Sequence, residues 1–172
     1  MALVAETLVE EWLNRQGYFT IRGIKAGRGE IDLLAISFGD RPRALHVEVT
    51  VFAHPIGYIA KDASGGYVKK RTPEEVRAYA GDWVIKKFQG TNEQVVKRRK
   101  ELCSARQWHF MLVYGNLKYP EELDAIKDCG VEVKHIGEVL EELKDHKGTF
   151  ATSSEASGVA ELFDIFYQEQ ES

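Results

Sequence analysis

Two apolar stretches of the chain, GRGEIDLLAI (residues 27–36) and RALHVEVTV (residues 43–51), carry acidic residues in their interiors. Glu30 and Asp32 sit in the first and Glu48 in the second. A carboxylate inside a sheet is costly unless a proton, a cation or several hydrogen bonds compensate it. Alternation along a strand puts Glu30, Asp32, Leu34 and Ile36 on one face. In the second stretch Leu45, Val47, Val49 and Val51 form a uniformly apolar face, leaving His46, Glu48 and Thr50 on the other. A turn centred on Asp40 then sets Asp32 directly opposite Glu48 and Glu30 beside Thr50. A slip of two residues keeps the faces but moves the carboxylates onto a diagonal. Facing carboxylates repel, so one takes a proton or a cation bridges them. Magnesium favours one or two carboxylates, a main-chain carbonyl and several waters that meet a phosphate. Asp32, Glu48 and the carbonyl of Val49 suit Mg²⁺ or Mn²⁺ in that way. Spacing alone leaves a second reading open, in which backbone donors at a sheet end, or solvent, satisfy both acids.

The surrounding pattern supplies the elements that must position these groups. Residues 3–16 read as an amphipathic helix with Val4, Leu8, Val9, Trp12 and Leu13 on one face and Gly17 as the stop. Glu6 and Glu11 lie at opposite margins of that face, and helical geometry does not choose between them as a third carboxylate. YFTIRGI, EIDLLAISF and RALHVEVTVF form a three-strand meander through the turns KAGRG and GDRP. Thr72, Pro73 and Glu75 open a helix with a capping box that runs to about Gln89, and EQVVKRRKEL makes a second, basic helix. WHFMLVYG and VEVKHI read as strands, each followed by a helix, the alternation that favours parallel pairing. The expected class is a mixed α/β sheet flanked by helices, in the order αβββααβαβα, over residues 1–147. GTFATSSEASG (residues 148–158) reads as a flexible link, and residues 159–172 as a C-terminal amphipathic helix.

Taken together, Glu6 on the first helix, a glycine turn into GEIDLLA, and HVEVT on the next strand resemble the PD-(D/E)xK nuclease superfamily. The resemblance is to its Holliday-junction-resolvase-like and Mrr-like branches, and it covers residues 3–52. It implies a restriction-endonuclease-like fold and a magnesium-dependent endonuclease acting on DNA. By position, Glu6, Asp32 and Glu48 would be catalytic metal ligands, with Glu30 accessory. The chain departs from the pattern at Thr50, which stands where the family places its catalytic lysine. A hydroxyl cannot supply an ammonium's charge or polarise water as it does. Lys61, Lys69, Lys70, Lys86 and Lys87 are the candidates to replace it.

Composition narrows the partners. The chain has 172 residues, 44% of them apolar, a net charge of −4 and two isolated cysteines, Cys103 and Cys129, which suggest neither a disulfide framework nor a zinc knot. Neither a basic leader before an apolar run nor a span-length apolar segment is evident, so a cytoplasmic protein is expected. Residues 69–106 hold eleven Lys or Arg against five acids, leaving the rest of the chain at −10. Such segregation fits a localised anion-binding face, with Arg28, Lys69, Lys70, Lys86, Lys97 and Arg98 as candidate phosphate contacts. Lys97 to Lys100 fill one helical turn and cannot all face one phosphate track. Tyr58 and Tyr67 flank the ASGG loop and could stack on unpaired bases, although packing in the core or under a lid is the commoner role of such residues. Three functions follow: a DNA-cutting phosphodiesterase, a nucleic-acid-binding module that has lost hydrolysis, and an assembly component docking through its terminal helix, as in a homodimer.

Overall fold

The computed structural model describes residues 2–27, 29–38, 42–60, 69–89, 93–103 and 107–144. Arg28, Lys61, Tyr67, the 148–158 link and the 159–172 helix lie outside them.

The first helix, α1 (Ala2–Arg15), buries Ala5, Leu8, Val9, Trp12 and Leu13, and Gly17 ends it at φ +83°, where a side chain would be strained. Strands β1 (Tyr18–Ala26), β2 (Gly29–Ser37) and β3 (Ala44–Thr50) form the antiparallel meander. A helix, α2 (Pro73–Val84), continues into a π-helical turn, Ile85–Gln89, before α3 (Glu93–Leu102). The Thr72–Glu75 capping box is present at the start of α2. Then β4 (Trp108–Tyr114), α4 (Glu122–Asp128), β5 (Val131–His135) and α5 (Ile136–Lys144) follow. The sheet order is β1-β2-β3-β4-β5, with β3, β4 and β5 parallel. The architecture is therefore the expected mixed α/β sheet flanked by helices, with a restriction-endonuclease-like layout.

The sheet has two covered faces. On one, α1 and α5 pack over Leu33, Ala35, Leu45, Val47, Val49, Val51, Met111 and Val113. On the other, α2, the π-turn and α4 cover Leu112 and Val131 through Val76, Ala80, Val84, Phe88, Leu123 and Ile126. The uniform apolar face of β3 is thus buried under α1 and α5. Its alternate residues, His46 and Glu48, are forced toward the second layer, where they are 0% and 2% exposed. A wholly apolar strand face leaves its polar partners no choice of side.

The chain after β3 is fastened by buried polar groups rather than by regular structure. Ile56 bridges to Leu117, and its amide donates to the Asn116 carbonyl at 3.2 Å. Glu122, fully buried, accepts from the amides of Ile59 (2.6 Å) and Ala60 (3.0 Å). Arg71 lies over the rings of Tyr58 and Tyr79, 4.2 Å from each centroid, and donates to the Ala60 carbonyl at 2.7 Å. Tyr58 stacks on Tyr119 and is 3% exposed, so it is a packing residue closed to a base. Removing the Glu122 carboxylate would strand two buried amides, each costing about 1–3 kcal/mol. Glu122→Ala is therefore expected to lower the urea midpoint by an amount equivalent to about 2–4 kcal/mol at unchanged m-value, with Glu122→Gln retaining part of the loss.

Candidate functional site

The register of β2 on β3 is the one the sequence predicts: Leu33 pairs with Val47, Leu34 with His46, Ala35 with Leu45 and Ile36 with Ala44. The next step along brings Asp32 level with Glu48. There the ladder gives way to a side-chain contact, in which the Val49 amide donates to Asp32 Oδ2 at 2.8 Å. The backbone-donor reading thus holds for one oxygen of Asp32, and it is this bond that holds the carboxylate beside Glu48.

Glu48 is gripped from two sides. The Lys87 ammonium, carried in by the π-turn, donates to Glu48 Oε2, and His46 Nε2 lies 3.1 Å from Oε1. Behind His46, an Arg99 guanidinium nitrogen lies 3.5 Å from Nδ1, while another donates to the Phe88 carbonyl at 2.6 Å. Arg99 can only donate, which makes Nδ1 the acceptor and Nε2–H the donor toward Glu48. Burial, with the charges of Arg99 and Lys87, pushes the His46 pKa well below its ordinary value, so the ring is neutral. Phe88 and Phe110 meet the His46 ring edge-on at 4.8 and 6.3 Å. Arg99, Phe88 and His46 form a packed wall that fixes Glu48.

Burial raises the carboxyl pKa of Asp32 to about 6, reinforced by the Glu48 charge and opposed by the Val49 amide and Lys87. Glu48 is also raised to about 6 by burial, against the pull of Lys87. Burial opposes the charge on Lys87, but Glu48 and Asp32 outweigh it, so its ammonium is held above the usual range. Glu6, half-buried on α1, is raised by burial and by Asp32, Glu30 and Glu48, while Arg22 counteracts. Glu6 is therefore the α1 acid that shares the field of the pair; Glu11 is tied to Arg15 at 2.8 Å and Glu10 lies 3.5 Å from Arg22. Among the described residues, no three His, Cys, Asp or Glu side chains converge tightly enough to hold a metal ion by themselves. The cluster is two adjoining carboxylates with Glu6 farther out.

The remaining candidates are dispersed. Thr50, half-buried, follows Glu48 on the same strand face, at a groove that Lys86 and Lys87 also line. Glu30 is exposed and pairs with Lys25 at 2.7 Å. Arg98 donates to Glu101 at 2.8 Å and to the Lys25 carbonyl at 3.2 Å; Lys97 lies 4.0 Å from Glu101. Both are partly neutralised on the surface of α3. Lys69 and Lys70 are exposed ahead of α2, Lys70 in a depression with Arg77, Glu121 and Asp124. The site residue that sequence reasoning missed is Arg99, counted there as one of four surface cations. Its spacing of four from the buried Val95 was the available signal for an inward-facing position.

An α/β protein with paired acids at the point where two antiparallel strands part is the class that fold and site define. Among solved structures, the chain is similar to a crystal structure described as a protein of unknown function, AF1548. The identity is 15% and the TM-score 0.49, over 83% of this chain and 67% of that one, a likeness that carries no functional argument. No protein-family model and no curated protein matches the chain. Among the described residues, no helix is long and apolar enough to cross a membrane.

Proposed function

We propose that the protein is a metal-dependent nucleic-acid phosphodiesterase of the PD-(D/E)xK type, an endonuclease on DNA, in which Lys87 takes over the role that Thr50 cannot fill. The observation that carries this reading is the Lys87 ammonium on Glu48 beside Asp32. A lysine from the helical layer thus reaches the acid pair that the strand position leaves without a cation.

The donor set suits a hard divalent ion. Two adjoining carboxylates, both with pKa values raised to about 6, gain most from a cation that takes both their charges. Asp32, Glu48 and the Val49 carbonyl would hold Mg²⁺ or Mn²⁺, with Glu6 as the outer acid; magnesium commonly uses one or two carboxylates and completes its shell with water and phosphate. Such an ion would supply Lewis acidity to the phosphodiester and lower the pKa of a nearby water. The chain's own residues do the rest. His46 and Arg99 hold Glu48 in one orientation, the Val49 amide holds Asp32, and Lys87, protonated at neutral pH, neutralises charge growing on the phosphate.

One observation favours a second reading, a binding module without hydrolysis: the same ion pair neutralises Glu48 with no metal. Labelled branched, duplex and single-stranded DNA incubated with Mg²⁺, Mn²⁺ or EDTA decides between them. The nuclease reading expects cleavage with a divalent ion and none in EDTA; tight, salt-sensitive binding without cleavage under any metal selects the module. A role for the terminal helix in assembly or in a homodimer concerns residues outside those described.

A further inference from the structure

Next to the acid pair, sharing Lys87 and Thr50 with the surroundings of Glu48, lies a groove of about 490 Å³, within the range of about 300–1,000 Å³ usual for ligand sites. Its walls are Thr50, Phe52, Ile56 and Ile59 from β3 and the chain after it, and Tyr79, Asp82, Trp83, Lys86 and Lys87 from α2 and the π-turn. Aromatic and aliphatic side chains contribute to both walls. Phe52 stands 46% exposed beside the buried Val51, and Trp83 is only half-buried. Ile56 and Ile59 are fixed by the Leu117 bridge and the Glu122 clip, so their wall is held in shape rather than collapsed.

Two cations, flat apolar surface and a carboxylate, Asp82, in one groove match one kind of ligand. A phosphodiester suits Lys86 and Lys87. A planar heterocycle suits the aromatic surface that Phe52 and Trp83 contribute, and an N–H at its edge could donate to Asp82. Resting on the phosphodiesterase reading, we propose that this groove receives an unpaired nucleobase next to a phosphate held by Lys86 and Lys87 beside the acid pair, so that the preferred substrates are nucleic acids with unpaired bases. A paired base would have to leave its stack at a cost of a few kcal/mol, whereas a base in a flap, loop or single strand is already free. Stacking on an aromatic side chain is worth about 1–3 kcal/mol per base, or about 5–150-fold in affinity.

The test measures binding by fluorescence anisotropy with the full chain in EDTA, where no cleavage is expected. Three labelled probes of equal length are compared: single-stranded oligothymidylate, the same backbone made abasic, and a duplex. Oligothymidylate should bind at least about 5-fold more tightly than the abasic strand and more tightly than the duplex. Phe52→Ser, at an exposed position, should lose about 5-fold or more for oligothymidylate while leaving the abasic strand unchanged. Circular dichroism and thermal melting confirm that the variant is folded, and Trp83→Leu provides an independent probe of the opposite wall. Equal affinity for thymidylate and abasic strands, tighter binding to duplex, or a Phe52→Ser variant that binds all three as the parent does would overturn the proposal. So would the absence of any binding, which would point instead to a protein partner on the aromatic wall. Because the assay needs no metal, base binding can fail while cleavage stands, and the reverse.

Discussion

Asp32→Asn should lose metal-dependent cleavage by about 10³-fold and yet melt at a higher temperature than the parent protein in EDTA at pH 7.5. The two effects share one cause. Asp32 and Glu48 are buried side by side, and burial is the main reason that both have pKa values near 6. At pH 7.5 both are ionised, and the native state bears their repulsion and desolvation. An asparagine carbonyl can still accept from the Val49 amide that now bonds Asp32 at 2.8 Å, so the substitution removes the charge and keeps the bond. A raised carboxyl pKa means that the native state prefers the proton. Its stabilising contribution is fully present below the ordinary carboxylate range near 4 and is lost as pH rises through about 6. The parent should therefore gain stability between pH 7.5 and 5 from this group, and Asp32→Asn should show much less of that gain.

Each pKa unit corresponds to about 1.4 kcal/mol, so a gain of roughly 1–3 kcal/mol is expected, read as several degrees in Tm. Saturating Mg²⁺ or Mn²⁺ should raise the parent's Tm at pH 7.5, have little effect at pH 5, and leave Asp32→Asn unmoved. Glu48→Gln should lose cleavage to a similar degree, and the double variant should lose little more, because the two act as a unit. A destabilised Asp32→Asn with intact activity would mean that the acid is a structural sheet-end group.

Lys87→Gln carries the second large effect. Its ammonium sits on Glu48 and stays protonated, so its part is to offset developing negative charge rather than to abstract a proton. Cleavage should fall by about 10²–10⁴-fold, while affinity for Mg²⁺, measured calorimetrically with uncleaved protein, should be unchanged or improved, since the ammonium no longer competes for Glu48 Oε2. A purely structural lysine would not split kcat from metal binding in this way. Without metal the variant should be less stable than the parent, because Glu48 then loses its cationic partner. Thr50→Lys in the Lys87→Gln background returns an ammonium to the strand, two residues beyond Glu48 on the same face. Recovery of at least about tenfold in rate would place the missing charge at this spot, and no recovery, with normal folding, would count against Lys87 as its substitute.

Local rules were enough for most of the scaffold. The capping box at Thr72, the glycine stop at Gly17, the alternation along β3 and the crossover pattern after residue 90 follow from properties of near neighbours in the chain. They also excluded a one-residue slip of β2 on β3, because the uniformly apolar face would then turn to the wrong side, and left two registers, of which the structure takes the one that sets Asp32 level with Glu48. What they could not choose was which lysine reaches that pair. Lys61, Lys69, Lys70, Lys86 and Lys87 are equivalent as sequence. The selection of Lys87 comes from how the turn at Ile85–Gln89 packs on the sheet, where Phe88 enters the core and Lys87 lies against Glu48.

Arg99 makes the same point in reverse. Within KRRK it reads as one more solvated cation, yet packing turns it inward to meet His46 and the Phe88 carbonyl. Tyr58 takes the packing role that the sequence favours for it, closed off by Tyr119 and Arg71, and the exposed aromatic surface beside the acids falls to Phe52. The sequence alone thus determined that two acids share one face of neighbouring strands, since strand alternation and apolar burial act over a few residues. Only the tertiary structure decided what surrounds them, because Lys87 on Glu48 and Arg99 behind His46 come from segments some forty to fifty residues away, brought together by layers packing on a sheet rather than by any spacing along the chain.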